Sequence, residues 1–291
     1  MAKLRTSTES ADAIPHEEIV ETLLLEAGAV GDLPTDPAKL LGYLKLSQLS
    51  FDFAQELGGV AGAQDLPHNL RAILSPKDRI VATHSGMAES RTRFSIFHEI
   101  GHFVLPEHQR ELFADDDKTL SWWTKSRMEG EANRIAAELL FQGNRFSEEA
   151  LNLSTSVRSV LDLAPKYGAS YEAGLRRYTE RHILPLALVV YEKIASPEET
   201  YVEDDRYRIH YTITSSGFRK LFFSSLTLTD ETCSASEIYE PHLFLRPGQV
   251  VEKEIKIERE GQSPWRFATE VFSNGYKIFQ LFTRPIEKVG R

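Results

Sequence analysis

Residues 93–108, RFSIFHEIGHFVLPEH, set His98 and His102 four positions apart around Glu99 inside an apolar stretch. Phe94, Phe97, Ile100, Val104 and Leu105 recur at helical spacing, and Pro106 closes the segment because it has no N–H to continue the ladder. The spacing predicts a helix over 93–105. On a helix, positions four apart lie one turn apart on the same face, so both imidazoles can aim at one ion. Glu99 is displaced around the helix, where it can stand beside a metal-bound water without being a ligand. Hydrolysis needs that division of labour: zinc lowers the pKa of its water to about 7, a carboxylate takes the proton, and the hydroxide attacks a polarised carbonyl. The competing reading of the same string is a pair of histidines packed in a helical core.

Two histidines leave a catalytic zinc short of the three protein ligands it generally takes. The sequence has one cysteine, Cys233, which excludes an intrachain disulfide framework and a cysteine-rich zinc site. The third ligand must come from elsewhere among the histidines and carboxylates. The stretch EGEANRIAAELLF, 129–141, repeats Ile135, Ala136, Leu139 and Leu140 at helical spacing and is expected to open on Glu129. Glu129 is the choice and Glu131 the fallback, since a two-residue step turns a helix by about 200° and only one of them can face the ion. Asn133 lies near the face of Glu129, either as a partner for a ligand or simply exposed.

The formal net charge of −9, with a pI near 5.6, opposes a protein whose main task is neutralising phosphates. No run approaches the roughly 20 apolar residues of a membrane span, and the start lacks the apolar core of a signal peptide, so a cytoplasmic location is expected. Along the chain, residues 1–15 read as a disordered N-terminus, and 16–27 and 37–43 read as helices. RIVATH at 79–84 reads as a strand, and the acidic ADDDKT at 114–119 as a solvated loop. Past Pro185 the texture shifts to runs such as LALVVYEKI, YRIHYTI, LFFSSLTL and KIFQLFT, which read as strands, with Asn274-Gly275 suited to a type I′ turn.

The stretches RTRFSIFHEIGHFVL (91–105), EGEANRIAAELLF (129–141) and the upstream RIVAT resemble the ImmA/IrrE family of metallopeptidases. The resemblance covers roughly residues 15–182. It implies an α+β fold with a zincin-like metallopeptidase domain over 16–145, of gluzincin-like HExxH type. His98, His102 and Glu129 would be the metal ligands and Glu99 the catalytic base, with Zn2+ as cofactor and Mn2+ possible on the same donors. A helix-turn-helix-like segment would follow over 146–183. The strand-rich remainder, 184–291, is similar only to the radiation-response branch of the family, where it implies a GAF-like α/β sensor domain for a small-molecule signal. The implied function is a regulatory endopeptidase that cleaves a helix-turn-helix transcriptional repressor of the XRE type, inducing genes for radiation, DNA-damage and desiccation tolerance. Gln142 stands where many members carry a proline behind the leucines.

The segment 156–182 reads on its own pattern as helix, turn at Gly168, and second helix from Ser170. Arg176, Arg177 and Arg181 give the second helix a basic stripe for DNA or a protein partner, although its first residues are poorly equipped for phosphates. His84 is an oxyanion candidate or an ordinary strand histidine. The rival to the peptidase is a DNA-binding or ligand-sensing transcriptional regulator with a vestigial or structural metal site.

Overall fold

The computed structural model describes residues 16–57, 70–108, 122–193, 207–222, 248–259 and 262–286, so the expectations for 1–15 and 114–119 lie outside the described residues. Helix α1 (His16–Glu26) buries Val20, Leu23 and Leu24, and α2 (Pro37–Tyr43) buries Leu40 and Leu41. Asp36 caps α2 by accepting from the Ala38 N–H at 2.9 Å, and Pro37 sits at the helix start, where a missing N–H breaks no ladder. Strand β1 (Ser47–Phe51), helix α3 (Phe53–Leu57) and strands β2 (Ala72–Ser75) and β3 (Ile80–His84) follow. The three strands form a sheet in the order β1-β3-β2, with β1 parallel and β2 antiparallel to β3.

Helix α4 (Glu89–Val104) carries the histidine motif and buries Ile96, Phe97 and Ile100. It starts a turn before the expected Arg93, since nothing in ESRT breaks a helix. Its end is set by Pro106, which pushes Leu105 into an extended conformation at φ −83°, ψ 117°. Helix α5 (Trp122–Phe141) corrects a second expectation: it begins at Trp122, so Glu129 lies in its interior and does not open it. No proline or glycine interrupts 122–128, and the ladder runs through.

At the exit of α5, Gln142 takes φ 50° and Gly143 φ 61°, and the Gly143 N–H returns 2.8 Å to the Glu138 carbonyl. Proline is locked near φ −65° and cannot occupy the Gln142 conformation. The Gln142 side chain is a clamp. Its Oε1 accepts from Gly31 N–H at 2.9 Å, and its Nε2 lies 3.0 Å from Ala29 O, 2.7 Å from Asp32 O and 3.2 Å from Thr35 Oγ1. These bonds tie the α1–α2 connection to the end of α5.

The chain divides into two compact units, Met1–Asn144 and Arg145–Arg291. The second begins with α6 (Arg145–Leu151), α7 (Val157–Leu163), a 3-10 turn (Ala164–Tyr167) and α8 (Tyr171–Arg181). Gly168 adopts φ 61° after the turn, and Ser170 caps α8 by accepting from Ala173 N–H at 3.2 Å. A Cβ on Gly174 would lie 2.6 Å from the Ala164 Cβ, so only glycine lets α8 cross this closely. Then come β4 (Ala187–Lys193), β5 (Tyr207–Thr214), α9 (Ser216–Phe222), β6 (Val250–Arg259), β7 (Gln262–Ser273) and β8 (Lys277–Ile286).

The five strands make one antiparallel sheet in the order β5-β4-β8-β7-β6. Alternate side chains such as Val189, Tyr191, Phe267 and Phe282 point to one face and pack with Phe218 and Phe222 of α9. The expected strand LFFSSLTL is helical at Leu221 and Phe222, and its remainder lies outside the described residues. The β7–β8 turn also differs from expectation. Gly275 has φ 90° while Asn274 is not left-handed; its Oδ1 instead accepts from the N–H groups of Tyr276 and Lys277 at 3.0 and 2.9 Å. No helix among the described residues is long and apolar enough to cross a membrane.

Replacing Gln142 with Ala removes the clamp and strands buried carbonyls and an N–H. Urea denaturation of the full chain is expected to show the Met1–Asn144 unit destabilised by roughly 2 kcal/mol.

Candidate metal centre

Gly101 of α4 lies directly against the backbone of α5 at Ala132. A Cβ there would sit 2.9 Å from the Ala132 carbonyl oxygen and 3.0 Å from its Cα, so the contact is backbone against backbone and only glycine fits. This contact brings side chains from both helices to one point. His98 Nε2 lies 3.1 Å from His102 Nε2 and 3.3 Å from Glu129 Oε2, and Glu129 Oε1 is 3.7 Å from His102 Nε2. Among the described residues these three form the cluster able to hold a metal ion, with donor atoms all within 4.8 Å of one another. Ligands about 2.05 Å from a tetrahedral zinc stand about 3.3 Å apart, so the donor set fits such an ion.

The other ring nitrogens are held. His98 Nδ1 is 3.0 Å from Asn133 Oδ1, one helical turn beyond Glu129. An amide oxygen only accepts, so His98 holds a proton on Nδ1, and in its neutral form its Nε2 is a lone pair. His102 Nδ1 is 3.1 Å from Nδ1 of His108, which is fully buried, and His108 Nε2 is 2.9 Å from Glu131 Oε2. Glu131 also accepts from Arg127 Nη1 at 3.1 Å. Sequence reasoning missed His108. The signal was its place in PEH just after the motif, a position with no ligand spacing of its own.

Glu99 is buried beside the histidines. Burial pushes its carboxyl up to about 7, against the pull of His98 and a backbone N–H from Leu74, with Glu129 adding repulsion. Burial also depresses His102 to about 4, helped by the nearby His98 and His108, so it stays neutral and able to ligate. Burial pulls His98 down too, but its bond to Glu129 and the charges of Glu99 and Glu129 outweigh this and raise it. Burial would raise Glu131, yet the bond from His108 and the charge of Arg127 hold it below the usual carboxylate range.

The remaining expected residues sit elsewhere. His84 is outside the cluster: its Nδ1 accepts from Phe53 N–H at 3.3 Å and its ring stacks on Phe53. Arg177 is only 5% exposed, so the expected stripe on α8 is not a continuous surface feature. Leu175 and Tyr178 beside it are core residues, and the face bearing Arg177 turns inward with them. Arg176 is paired with Glu180 at 2.9 Å and lies over the Tyr211 ring, and Arg181 is exposed at the end of the helix.

Residues 51–179 match the family profile of the IrrE N-terminal-like domain, Peptidase M78. The chain carries an IrrE N-terminal-like domain. This bears out the resemblance to the ImmA/IrrE family, and the match includes α4, α5 and the whole cluster. It also runs past Asn144 into the helices of the second unit, so the IrrE N-terminal-like region and the compact units have different limits. No curated protein matches the chain. A solved structure, that of a Mycobacterium tuberculosis transcriptional regulator, is similar over 93% of this chain and 88% of its own, with a TM-score of 0.57 and 14% identity. At that identity the likeness is one of fold.

Two outcomes test this geometry. Gly101→Ala must separate α4 from α5, and zinc affinity, measured by competition with a chromophoric chelator, is expected to fall at least about tenfold. The second concerns the metal-free protein. Between pH 4.5 and about 7 folded Glu99 keeps a proton that the unfolded chain has released, so its contribution to stability falls as pH rises. Metal-free Glu99→Gln is therefore expected to be more stable than metal-free wild type at pH 8, by on the order of 2 kcal/mol, with the gap closing below about pH 5.

Proposed function

We propose that this chain is a regulatory metal-dependent endopeptidase whose substrate is a helix-turn-helix transcriptional repressor. The IrrE N-terminal-like domain supports a regulatory protein of the ImmA/IrrE type with peptidase ancestry. The observation that carries the finer reading is the convergence of His98, His102 and Glu129 beside a buried carboxylate tuned to about 7. His98, His102 and Glu129 hold Zn2+, with Mn2+ accepted by the same nitrogen and oxygen donors. The bound cation supplies Lewis acidity toward a carbonyl and an acidified water.

Glu99 is the base. Its carboxylate takes a proton from the attacking water and returns it to the leaving amine, and burial raises its proton affinity for that task. The Leu74 N–H that reaches Glu99 belongs to β2, an edge strand of the first sheet. The outer edge of β2 offers backbone groups to an extended substrate segment, so capture by strand pairing places the scissile bond beside Glu99. In this reading the five-stranded sheet over 184–291 is a GAF-like sensor for a small-molecule signal, the helical pair within 146–183 docks the repressor, and the response is tolerance to radiation, DNA damage and desiccation. The inward turn of Arg177 weakens the rival reading of α8 as a DNA-reading helix.

The test is incubation of the purified full chain with a candidate XRE-type repressor and Zn2+ or Mn2+, read by product mass. A single metal-dependent cut is expected, lost in Glu99→Gln while that variant keeps its metal. An intact repressor with every metal, or a cut that survives in Glu99→Gln, contradicts the proposal. A bound dication stabilises ionised Glu99, so the acid limb of kcat/KM is expected at or below about pH 7, with activity falling as pH drops.

A further inference from the structure

Each histidine ligand must present an unprotonated Nε2, and a neutral imidazole then carries its one proton on Nδ1. For His98 a single amide oxygen on Asn133 fixes that choice. For His102 the neighbour is another imidazole, which can either donate or accept, so the pair alone leaves the proton undecided. The decision lies one step further out. Glu131, ionised, can only accept, and its Oε2 is 2.9 Å from His108 Nε2. A neutral His108 has one proton to place, holds it on Nε2 toward that carboxylate, and turns a bare Nδ1 toward His102 Nδ1 at 3.1 Å. His102 donates there, and its Nε2 faces Glu129 and His98 as a lone pair.

We infer that His108 and Glu131 form a two-step positioning relay that sets the tautomer and orientation of His102 and so pre-organises the metal centre. This rests on reading His98, His102 and Glu129 as metal ligands. The other neutral tautomer of His108 sets Glu131 Oε2 against a bare His108 Nε2, two acceptors 2.9 Å apart, and drives the proton of His102 onto the atom that must ligate. Arg127 completes the outer end: its Nη1 donates to Glu131 Oε1 at 3.1 Å and to Glu107 Oε2 at 2.8 Å, which fixes where the carboxylate lies. His108 is 0% exposed, so water does not substitute for either of its bonds. Glu131 therefore takes a role different from the fallback ligand suggested by spacing: it acts on the ion through two imidazoles.

The test uses the full chain as wild type, His108→Asn, His108→Leu and Glu131→Gln. Zinc affinity is read by chelator competition, and the ligand field by the visible spectrum of the cobalt-loaded protein. The Asn oxygen falls where His108 Nδ1 lies, so His108→Asn is expected to keep zinc affinity within about threefold and the wild-type cobalt spectrum. His108→Leu removes the acceptor and is expected to weaken zinc by about 10- to 100-fold and shift the cobalt bands. Glu131→Gln can donate to His108, reversing the relay, and is expected to lose about tenfold in affinity with the same spectral shift.

Melting of the metal-free proteins shows whether each variant folds. Should His108→Leu fail to fold, the partly exposed Glu131→Gln carries the test alone. Wild-type affinity and spectrum in a folded Glu131→Gln or His108→Leu overturns the relay. So does equal loss in His108→Asn and His108→Leu, which is what a space-filling role gives. Wild type that takes up no metal overturns the metal centre and the relay with it. Loss in the variants of a metal-binding chain that cuts no repressor upholds the relay and removes only the peptidase reading.

Discussion

The contact of Gly101 with the Ala132 backbone sets what the rest of the first unit can do. Two helices normally stand 8–10 Å apart, held off by side chains. Here one helix offers no side chain at the crossing, and the other offers a carbonyl and a Cα. Residues flanking the crossing are thereby brought within ligand distance across it: His98 and His102 on one helix, Glu129 and Asn133 on the other. The apolar residues that bury these helices, Phe97 and Ile100 on α4 and Ile135, Ala136 and Leu139 on α5, hold the crossing shut. The clamp of Gln142 on the α1–α2 connection fixes the far end of α5.

Such a site is electrostatically unfavourable on its own. Two imidazoles and two carboxyl groups crowd together, with burial pushing Glu99 toward neutrality and His102 away from its charged form. Strain of this kind in an otherwise well-packed unit marks a place shaped for binding, because packing alone would favour apolar residues there. A divalent cation held by His98, His102 and Glu129 would reverse the balance, since it would offset the negative carboxylates and use imidazole lone pairs. The outward-facing nitrogens are meanwhile paired, one to Asn133 and the other to His108, so both rings are held in place by bonds that need no ion.

Much of this was legible in the chain. The period of Phe94, Phe97 and Ile100 located α4, and the His98–His102 step placed two imidazoles on one face. Pro37, Gly168, Ser170 and Pro106 each marked an element boundary through their own backbone chemistry. What escaped was decided by tertiary context. The stretch 122–128, WWTKSRM, carries no apolar repeat at helical spacing, so the period of 129–141 suggested too late a beginning for α5. Phe222, β-prone by composition, closes α9 because Phe218 and Phe222, four apart on one face of that helix, find aromatic partners in the sheet, while Leu221 stays exposed. Arg177 turned inward for a reason no single-helix pattern reveals. His108 could be found only once its distance to His102 was known, since a partner of a ligand obeys no spacing rule.

The central claim is that one divalent cation sits between His98, His102 and Glu129. Anomalous diffraction from crystals of the zinc-loaded full chain, collected at the zinc edge, tests it most directly. A single strong peak is expected about 2 Å from His98 Nε2, His102 Nε2 and a Glu129 carboxylate oxygen, with Glu99 beside it but outside bonding distance. A peak located elsewhere, or a zinc-soaked crystal with none at the crossing of α4 and α5, would contradict it.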